Sequence, residues 1–543
     1  MFYFIPAWFS QGRWMEQEQA WYVRRMQSEM DDTVKQIQLF DRQKIMPYKI
    51  LLLSHAPNFR HFLHRQSVFH APYWSVFDAI QGFTHHKQKT ISFLDMEWPQ
   101  GIEFLYSNFA VIAMLNGERY ALINFGEDGN MITIDRYQNG QLSKRNIFDD
   151  RGFISAVAVF EGGRETQKFF MDENGEWKIC RNADGQVLIN KKSCFYVIPV
   201  NGEYKQLPFA KTAYNSMDEL IAEVLAAYLS ASAETDDIYC IAVHSLLAEM
   251  MARFMAGRKT ILSVWNARPI PNDSAAMQKL LYRASAIVGD THEELENLHS
   301  KYNLNKNKLV EITPFDSRVE FGISQQIKEQ RILVPVDNIT DELFTDIIIN
   351  LAEYMRTNEK ARIHLFTRNA LYSRCDDLLQ KTRNILKSHN LPEDWAIKKD
   401  TKSVKLASLL DEPEEEIPQL FFADQCIDEL AVSKCLRTQR VMVDMAPTPD
   451  LFLQIGCITM GIPQIVHKKT NYVVPSANGR INSDINTLGS DLQFYLDGLG
   501  NWNAAVVASY EIAQNFTATQ LVGKWKEVIE RVGTNTDFTA WTK

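Results

Sequence analysis

Residues 239–315 contain four short apolar runs: YCIAVHS (239–245), TILSVWN (260–266), AIVGD (286–290) and LVEITPF (309–315). The polar segments between them are long enough for helices. Strands that alternate with helices lie parallel in a sheet covered on both faces, and such strands are apolar at nearly every position. The stretch therefore predicts an α/β fold built on a parallel sheet.

The same alternation occurs on both sides of this stretch. Before it we expect a strand in MFYFIPAWF (1–9), a helix from Asp32 to Arg42, a strand in YKILLLS (48–54) and a helix from Asp218 to Ser230. A second series follows it: RILVPVD (331–337), a helix from Asp341 to Arg356, RIHLFTR (362–368), WAIKK (395–399), PQLFFAD (418–424), RVMVDM (440–445) and PQIVH (463–467). We expect two Rossmann-like lobes that face each other across a cleft, with ligands at the carboxyl ends of the strands.

Residues 92–210 have a different pattern. Alternating, β-rich segments such as ERYALINF (118–125) and NMITIDRY (130–137) lie between pairs of residues that tolerate the positive φ angles of tight hairpins. These pairs, most of them 10 to 12 residues apart, are Asn116-Gly117, Asp128-Gly129, Asn139-Gly140, Gly162-Gly163, Asn174-Gly175, Asp184-Gly185 and Asn201-Gly202. The spacing predicts an antiparallel β-meander. It either offers a sheet face or edge to a partner or is a self-contained covering domain.

The α/β alternation resumes after Tyr214, so we expect the meander to be inserted into the first lobe. The predicted boundaries are 1–91 for the opening portion of the first lobe, 92–210 for the meander, 211–323 for the remainder of the first lobe, 324–515 for the second lobe, and 516–543 for a C-terminal helix that returns to the first lobe.

Composition narrows the class of protein. The chain has 543 residues and a net charge of −9, which disfavours a dedicated nucleic-acid-binding face. Its 7 cysteines include no Cys-x-x-Cys pair, which indicates reduced thiols in the cytoplasm. No apolar run is long enough to cross a bilayer, so we expect no membrane span.

Several common site motifs are missing from the sequence. There is no G-x-x-x-x-G-K-[ST] loop, no G-x-G-x-x-G, no G-x-S-x-G and no Asp-x-Asp triplet. Six histidines lie between His55 and His86, but their spacing matches no short metal-binding motif. We therefore expect neither a metal nor a cofactor.

The stretch DLFLQIGCITMGIPQIVHKKTNYVV (450–474) resembles the donor-site region of retaining GT-B glycosyltransferases. In those enzymes a helix begins near one Glu, carries a second, and ends in a small-residue turn before Gly-x-Pro and a strand. Gly461-Ile462-Pro463 matches that ending, and EITPFDSRVEF (311–321) resembles the hinge between their lobes. The resemblance implies a GT-B-like pair of Rossmann-like lobes.

The residues that such enzymes need are missing from the matching positions. Counting back from Gly461, the two Glu residues should fall at Thr448 and Gly456. These enzymes also place an Arg and a Lys at the start of the second lobe, where they stabilise charge on the leaving diphosphate. The stretch 332–355 contains no Lys or Arg, and instead has Asp337, Asp341, Glu342 and Asp346. We therefore expect no catalytic residues.

The opening MFYFIPAWF, with GRW (12–14) and WYVRR (21–25), resembles the first accessory secretory protein of the accessory Sec system, the Asp-one family. The resemblance covers nearly the whole chain. It implies a cytoplasmic subunit, recruited to the membrane translocon through partners. The implied partners are the second and third accessory secretory proteins, the accessory SecA motor, and the glycosylated serine-rich repeat adhesin that they export.

A cleft kept after loss of catalysis suits recognition of N-acetylglucosamine on the adhesin. The candidate carbohydrate-binding residues, chosen by their place at the cleft, are His244, Asn266 and Arg268 at strand ends, Asp316 and Arg318 near the hinge, and Thr448, Pro449, Asp450 and Leu451 at the start of the donor-site helix. Backbone amides at that helix start are also candidates for an anion or a hydroxyl. For His244 a hydrogen-bonded structural role is the alternative.

Two other functions stay open. One is an active retaining glycosyltransferase that acts on a serine-rich protein through an atypical donor site. The other is a pure scaffold without affinity for sugar.

Overall fold

A computed structural model describes residues 1–9, 13–14, 31–84, 89–266, 268, 270, 274–320, 322–397 and 419–534. The described strands form two parallel sheets, a long antiparallel sheet and a hairpin. The predicted α/β fold with parallel sheets and an antiparallel meander is confirmed. The domain boundaries and the role of the meander stay predictions, and the WYVRR segment lies outside the described residues.

The chain begins with three parallel strands and the helices between them. They are β1 (Phe2–Ile5), α1 (Asp32–Gln43), β2 (Tyr48–Leu52), α2 (Phe59–Arg65), β3 (Tyr73–Ser75) and α3 (Val76–Gln81). Helix α1 starts at Asp31, whose carboxylate accepts hydrogen bonds from the backbone N–H groups of Thr33 and Val34. This side chain satisfies donors that the first turn leaves unpaired.

The antiparallel sheet and the hairpin follow. Their strands are β4 (Glu103–Tyr106), β5 (Val111–Leu115), β6 (Glu118–Phe125), β7 (Met131–Gln138), β8 (Gln141–Asp149), β9 (Phe153–Glu161), β10 (Arg164–Met171), β11 (Trp177–Asn182), β12 (Val187–Ile189), β13 (Phe195–Val200), β14 (Glu203–Pro208) and β15 (Ala213–Tyr214). Asn116-Gly117 and Asn139-Gly140 have positive φ at both positions, which gives the strand-matching twist of a two-residue hairpin. Strands β4 to β12 pair in sequence order, and β15 pairs with β12.

The first parallel sheet is completed after the meander. The elements are α4 (Met217–Ser232), β16 (Ile238–Ala242), α5 (Ser245–Phe254), β17 (Lys259–Val264), α6 (Ala275–Arg283), β18 (Ala286–Gly289), α7 (His292–Tyr302) and β19 (Leu309–Glu311). The strand order is β19-β18-β17-β16-β1-β2-β3. We call this sheet with its packed helices the first lobe.

The second parallel sheet has the order β22-β21-β20-β23-β24-β25. Its elements are β20 (Gln330–Pro335), α8 (Asp341–Thr357), β21 (Ala361–Thr367), α9 (Arg374–Ser388), β22 (Phe421–Gln425), α10 (Glu429–Leu436), β23 (Val441–Asp444), α11 (Leu451–Met460), β24 (Gln464–Val466), β25 (Gly479–Ile481), α12 (Leu488–Leu496) and α13 (Leu499–Ala513). We call it the second lobe. In both lobes the order reverses beside the first strand, and ligands of such sheets bind at that reversal.

The last helix, α14 (Ala518–Thr534), packs on the first lobe. Its buried residues Leu521, Trp525, Val528 and Val532 recur every three or four positions and join the core that contains Phe2. This is the spacing of one apolar helix face. Within the described residues, no helix combines the length and apolarity that a membrane crossing requires.

One predicted strand is wrong. WAIKK (395–399) was expected to be a strand, but Trp395 and Ala396 lie in a short 3-10 helix, Glu393–Ala396, and Ile397 follows it outside any strand. The two lysines lie outside the described residues. The carbonyl of Trp395 accepts a hydrogen bond from the N–H of Leu420, so the segment packs beside the start of β22 without joining the sheet.

Candidate functional site

A cavity of about 540 Å³ lies between the two lobes at the carboxyl ends of their strands. The first lobe contributes the ends of β17, β18 and β19, including Asn266, Asp290 and Glu311. The second lobe contributes the loop before α11, with Thr448 and Pro449, and the segment after β24. Three of the nine predicted site residues, Asn266, Thr448 and Pro449, therefore line one cavity.

Direct contacts join the two lobes at the rim of this cavity. Lys468 Nζ lies 2.7 Å from a carboxylate oxygen of Glu293. The side-chain amide of Asn471 donates a hydrogen bond to Glu311, and the hydroxyl of Tyr472 donates one to Thr313. These contacts hold the lobes in a defined relative position, and most of the residues that line the cavity have polar side chains.

Buried carboxyl groups give the cavity its chemistry. Both oxygens of Asp290 accept hydrogen bonds from the backbone N–H of Asn266 at 3.1 Å. Burial raises the pKa of Asp290 to about 8, and burial also raises the pKa values of Glu294 and Glu311. At neutral pH the carboxyl of Asp290 is mostly protonated and both donates and accepts, which suits a ligand rich in hydroxyl groups.

Arg268 has its side chain bound inside the first lobe. Its guanidinium makes two 2.8 Å hydrogen bonds to the carboxylate of Asp32 and one of 2.9 Å to the carbonyl of Val243. Asp32 is 2% exposed and also accepts a 2.7 Å hydrogen bond from Ser263 Oγ. The geometry gives Arg268 the role of neutralising a buried carboxylate at the start of α1.

His244 caps α5. Its Nδ1 accepts a hydrogen bond from the backbone N–H of Leu246 at 3.2 Å, and its ring lies 5.1 Å from that of Phe9. Burial and the nearby Arg268 lower the pKa of His244. A neutral imidazole that accepts a hydrogen bond at a helix N-terminus matches the structural role that is the alternative to ligand contact for His244.

Asp316 and Arg318 lie in a separate groove of about 220 Å³ at the hinge. Arg318 Nε is 3.2 Å from Asp316, and the side chain of Arg318 is 67% exposed. Phe315 and Phe452 form part of the apolar floor. The Lys35–Glu429 ion pair, 2.7 Å long, joins the lobes beside this groove.

The carboxyl edge of the second sheet is occupied by its own side chains. Asp450 caps α11 by accepting a hydrogen bond from the N–H of Leu453 at 3.1 Å. The same carboxylate lies 2.8 Å from Arg368 Nε. The backbone N–H of Leu453, one of the candidate anion-binding amides at this helix start, is therefore already hydrogen-bonded to the side chain of Asp450. Leu451 is buried in the hinge core.

Two arginines at this edge were not among the predicted site residues. Arg368 follows β21 and Arg374 begins α9, and both contact Asp337, through the Arg368 backbone N–H at 2.6 Å and Arg374 Nη2 at 3.5 Å. The stretch 332–355, which contains no Lys or Arg, ends before β21, and both arginines follow that strand. A signal was available, since RIHLFTR ends in an arginine where a parallel strand reaches the cleft. Of the acidic residues in the stretch 332–355, Asp341 pairs with Lys381 on the surface.

Gly456 stands where the second donor-site Glu is expected. A Cβ atom added there would lie 2.6 Å from Leu436 Cδ1, closer than carbon atoms approach. Helices α10 and α11 therefore pack at a distance that leaves no room for a side chain unless Leu436 moves.

Comparison with known proteins identifies the family. The family model of the first accessory secretory protein of the accessory Sec system, the Asp-one family, matches residues 1–532. The chain belongs to this family. An Asp-one protein from Streptococcus gordonii is 31% identical over 531 residues, which cover 97% of this chain and 98% of that protein. The predicted membership of the Asp-one family is confirmed.

Solved structures extend the comparison from Asp-one proteins to transferases. The crystal structure of accessory secretory proteins 1, 2 and 3 from Streptococcus pneumoniae contains a chain 27% identical to this one, with a TM-score of 0.76, covering 98% of this chain and 99% of that chain. The pneumococcal O-GlcNAc transferase GtfA, solved with UDP and GlcNAc, has a TM-score of 0.68 at 12% identity, covering 98% of both chains. The second similarity concerns the fold alone, and it confirms a GT-B glycosyltransferase-like fold for this Asp-one chain.

Proposed function

We propose that this chain is a non-catalytic, GT-B-like subunit of the accessory Sec system that binds glycosylated serine-rich repeat adhesin and supports its export. Its partners in this role are the second and third accessory secretory proteins and the accessory SecA motor, which recruit it from the cytoplasm to the membrane translocon. The family and the pneumococcal complex of proteins 1, 2 and 3 support the first two partners.

The observation that carries the non-catalytic role is the Asp450 carboxylate at the start of α11. A nucleotide sugar needs fixed positive groups where negative charge develops on its diphosphate. Here Asp450 occupies the Leu453 amide and neutralises Arg368, and Asp337 lies beside both arginines. Gly456 adds a steric reason, since a ribose-binding carboxylate at that position would have to displace the side chain of Leu436.

The test of the non-catalytic role is a donor-turnover assay with UDP-GlcNAc and a serine-rich acceptor peptide. We expect UDP release at the rate of the protein-free blank. The matched variant is Arg368→Ala, which removes one of the two arginines at this edge. UDP release above the blank that disappears in Arg368→Ala would establish the alternative, an active retaining glycosyltransferase. An observation that favours this alternative is that Nη1 of Arg368 and Nε of Arg374 have no hydrogen-bond partner in the described part of the chain.

The sugar site is proposed for the cavity between the lobes. Its wall carries amides and hydroxyls from both lobes and carboxyl groups from the first lobe, with Asn266 and Thr448 contributed by different lobes. A sugar held there contacts both lobes at once. The other predicted residues stand outside this cavity wall, so their direct contact with sugar stays a prediction.

The test of sugar recognition is a calorimetric titration of a serine-rich peptide with and without N-acetylglucosamine. We expect tighter binding of the glycosylated peptide, and about fivefold weaker binding for Asn266→Ala, since one hydrogen bond contributes about 1 kcal/mol. Lys526→Ala, on the exposed side of α14 and outside the cavity wall, is the control and should leave the affinity unchanged. Equal affinity for the two peptides would instead favour a scaffold without sugar recognition.

A further inference from the structure

A second, smaller cavity lies where the meander packs on the first lobe. It measures about 170 Å³, and its wall includes Lys168 and Phe170 of β10, Arg181 of β11, Asp218 of α4 and the segment Arg13–Trp14. It is distant in the fold from the cleft between the lobes, since none of its described lining residues belongs to the second lobe. Three of the lining side chains are basic.

Lys168 is the unusual member of this cavity. Its side chain is 1% exposed, and in the described ranges its Nζ makes no hydrogen bond or ion pair, lying 5.3 Å from the centre of the Phe170 ring. Lys178, another buried lysine of the meander, does have a hydrogen-bond partner. It is equally buried, but its Nζ donates a 2.6 Å hydrogen bond to Ser193 Oγ and lies 3.7 Å from the Phe195 ring centre. A buried ammonium without an acceptor is costly, so Lys168 calls for a compensating group.

The carboxylates near the cavity are already engaged. Glu165 forms an ion pair with Arg181, and Asp218 accepts a hydrogen bond from the indole N–H of Trp14. Among the described lining residues, the three basic side chains outnumber the one carboxylate, Asp218, whose negative charge the neutral indole does not cancel. The volume equals that of about five water molecules, which is enough for a tetrahedral or planar oxyanion.

We propose that this cavity binds a small oxyanion, a phosphate-type or carboxylate group, with Lys168 as its main ligand and Arg13 and Arg181 beside it. The anion accepts the hydrogen bonds that Lys168 lacks and joins β10 and β11 of the meander to Arg13, with the carboxylate of Asp218 as an opposing charge in the wall. Charge-assisted hydrogen bonds of this kind are stronger than neutral ones. Ligand binding at this point stabilises the contact between the meander and the first lobe.

The test measures the melting temperature of the full chain in sulfate and in chloride at equal ionic strength. Sulfate stabilises proteins in general, so the informative quantity is the extra shift relative to Lys168→Met. We expect the extra shift in the native protein and in Lys178→Met, the matched buried lysine, and its loss in Lys168→Met. Methionine fills the same space without a charge, so this variant should fold. Equal shifts in native protein and Lys168→Met would overturn the proposal. Acetate in place of sulfate distinguishes a carboxylate preference from a phosphate-type one.

A second measurement on the native protein does not depend on folding of a variant. Burial lowers the pKa of Lys168 to about 7, so its charge is lost as pH rises through neutrality. Sulfate, whose own charge is constant in this range, should bind on the order of tenfold tighter at about pH 6 than at about pH 8.5. Affinity that is independent of pH would contradict the role of Lys168. The other charged or titratable groups near Lys168 are Glu165, Arg181, Arg145, Arg13, Asp218 and His55.

Discussion

Replacing Arg268 by alanine is expected to lower the free energy of unfolding by about 3–5 kcal/mol, because it leaves the buried carboxylate of Asp32 without its cation. The paired hydrogen bonds of 2.8 Å and the 2% exposure of Asp32 place this interaction in the interior, where an unpaired charge is poorly tolerated. Burial, and then Asp32, raise the pKa of the adjacent Asp31 to about 6 against the lowering effect of Arg268. Urea unfolding followed by far-UV circular dichroism measures the loss.

The pH dependence of this loss has a definite sign. Without Arg268 the pKa of Asp31 rises further, so the folded protein holds a proton that the unfolded chain releases, and stability falls as pH increases between the two pKa values. The loss should therefore be larger at about pH 8 than at about pH 5. Arg318→Ala, which removes a mostly exposed arginine, should cost less than about 1 kcal/mol. A variant Arg268→Ala as stable as Arg318→Ala would refute the structural role, and would return Arg268 to the candidates for ligand contact.

Replacing Trp525 by alanine is expected to cost about 3–5 kcal/mol, the usual effect of removing a large buried aromatic side chain. Trp525 is 1% exposed, and its ring centre lies 5.4 Å from that of Phe40 and 6.2 Å from that of Phe2. Because these partners belong to the first helix and first strand, the variant should loosen the attachment of α14 to the first lobe. The shift of the unfolding transition in urea, followed by far-UV circular dichroism, measures the effect.

The control for this variant is Lys526→Ala, at the next position of the same helix on its exposed side. It keeps helix propensity and should change stability by no more than about 0.5 kcal/mol. Limited proteolysis adds a local readout, because cleavage within 518–534 should become faster in Trp525→Ala alone. Unchanged stability and unchanged cleavage would show that α14 does not depend on this contact.

Local patterns predicted the elements of the fold well. Runs such as YCIAVHS became buried parallel strands because both faces of those strands are covered. Asn116-Gly117, Asn139-Gly140 and Asn201-Gly202 became two-residue turns because few other residues tolerate two successive positive φ angles. The strand predicted at WAIKK is wrong because the segment is too short for its apolar residues to show a helix or strand period. In such a segment tertiary packing selects the conformation, here a short 3-10 helix.

The site was predicted less completely. Asn266, Thr448 and Pro449 line one cavity, since the ends of parallel strands meet at one edge, and their contact with sugar stays a prediction. Position in the chain did not predict that Arg268 would face Asp32, or that Asp450 would pair with Arg368. Each of these pairs joins residues 82 or more positions apart, and no local rule selects between a carboxylate and a ligand as the partner of an arginine.

Four properties of this protein follow from the order and identity of its residues: the alternation of strands and helices, the antiparallel meander, the membership of the Asp-one family, and the absence of acidic residues at Thr448 and Gly456. These properties depend on residue identity or on residues that are neighbours in the chain, so they can be recognised without knowing any tertiary contact. Which charges are neutralised and which still face a cavity depends on the three-dimensional packing. Arg268 is an example of the first case and Lys168 of the second. Charge compensation depends on distance through space and on exclusion of water, and both exist only once distant segments have packed.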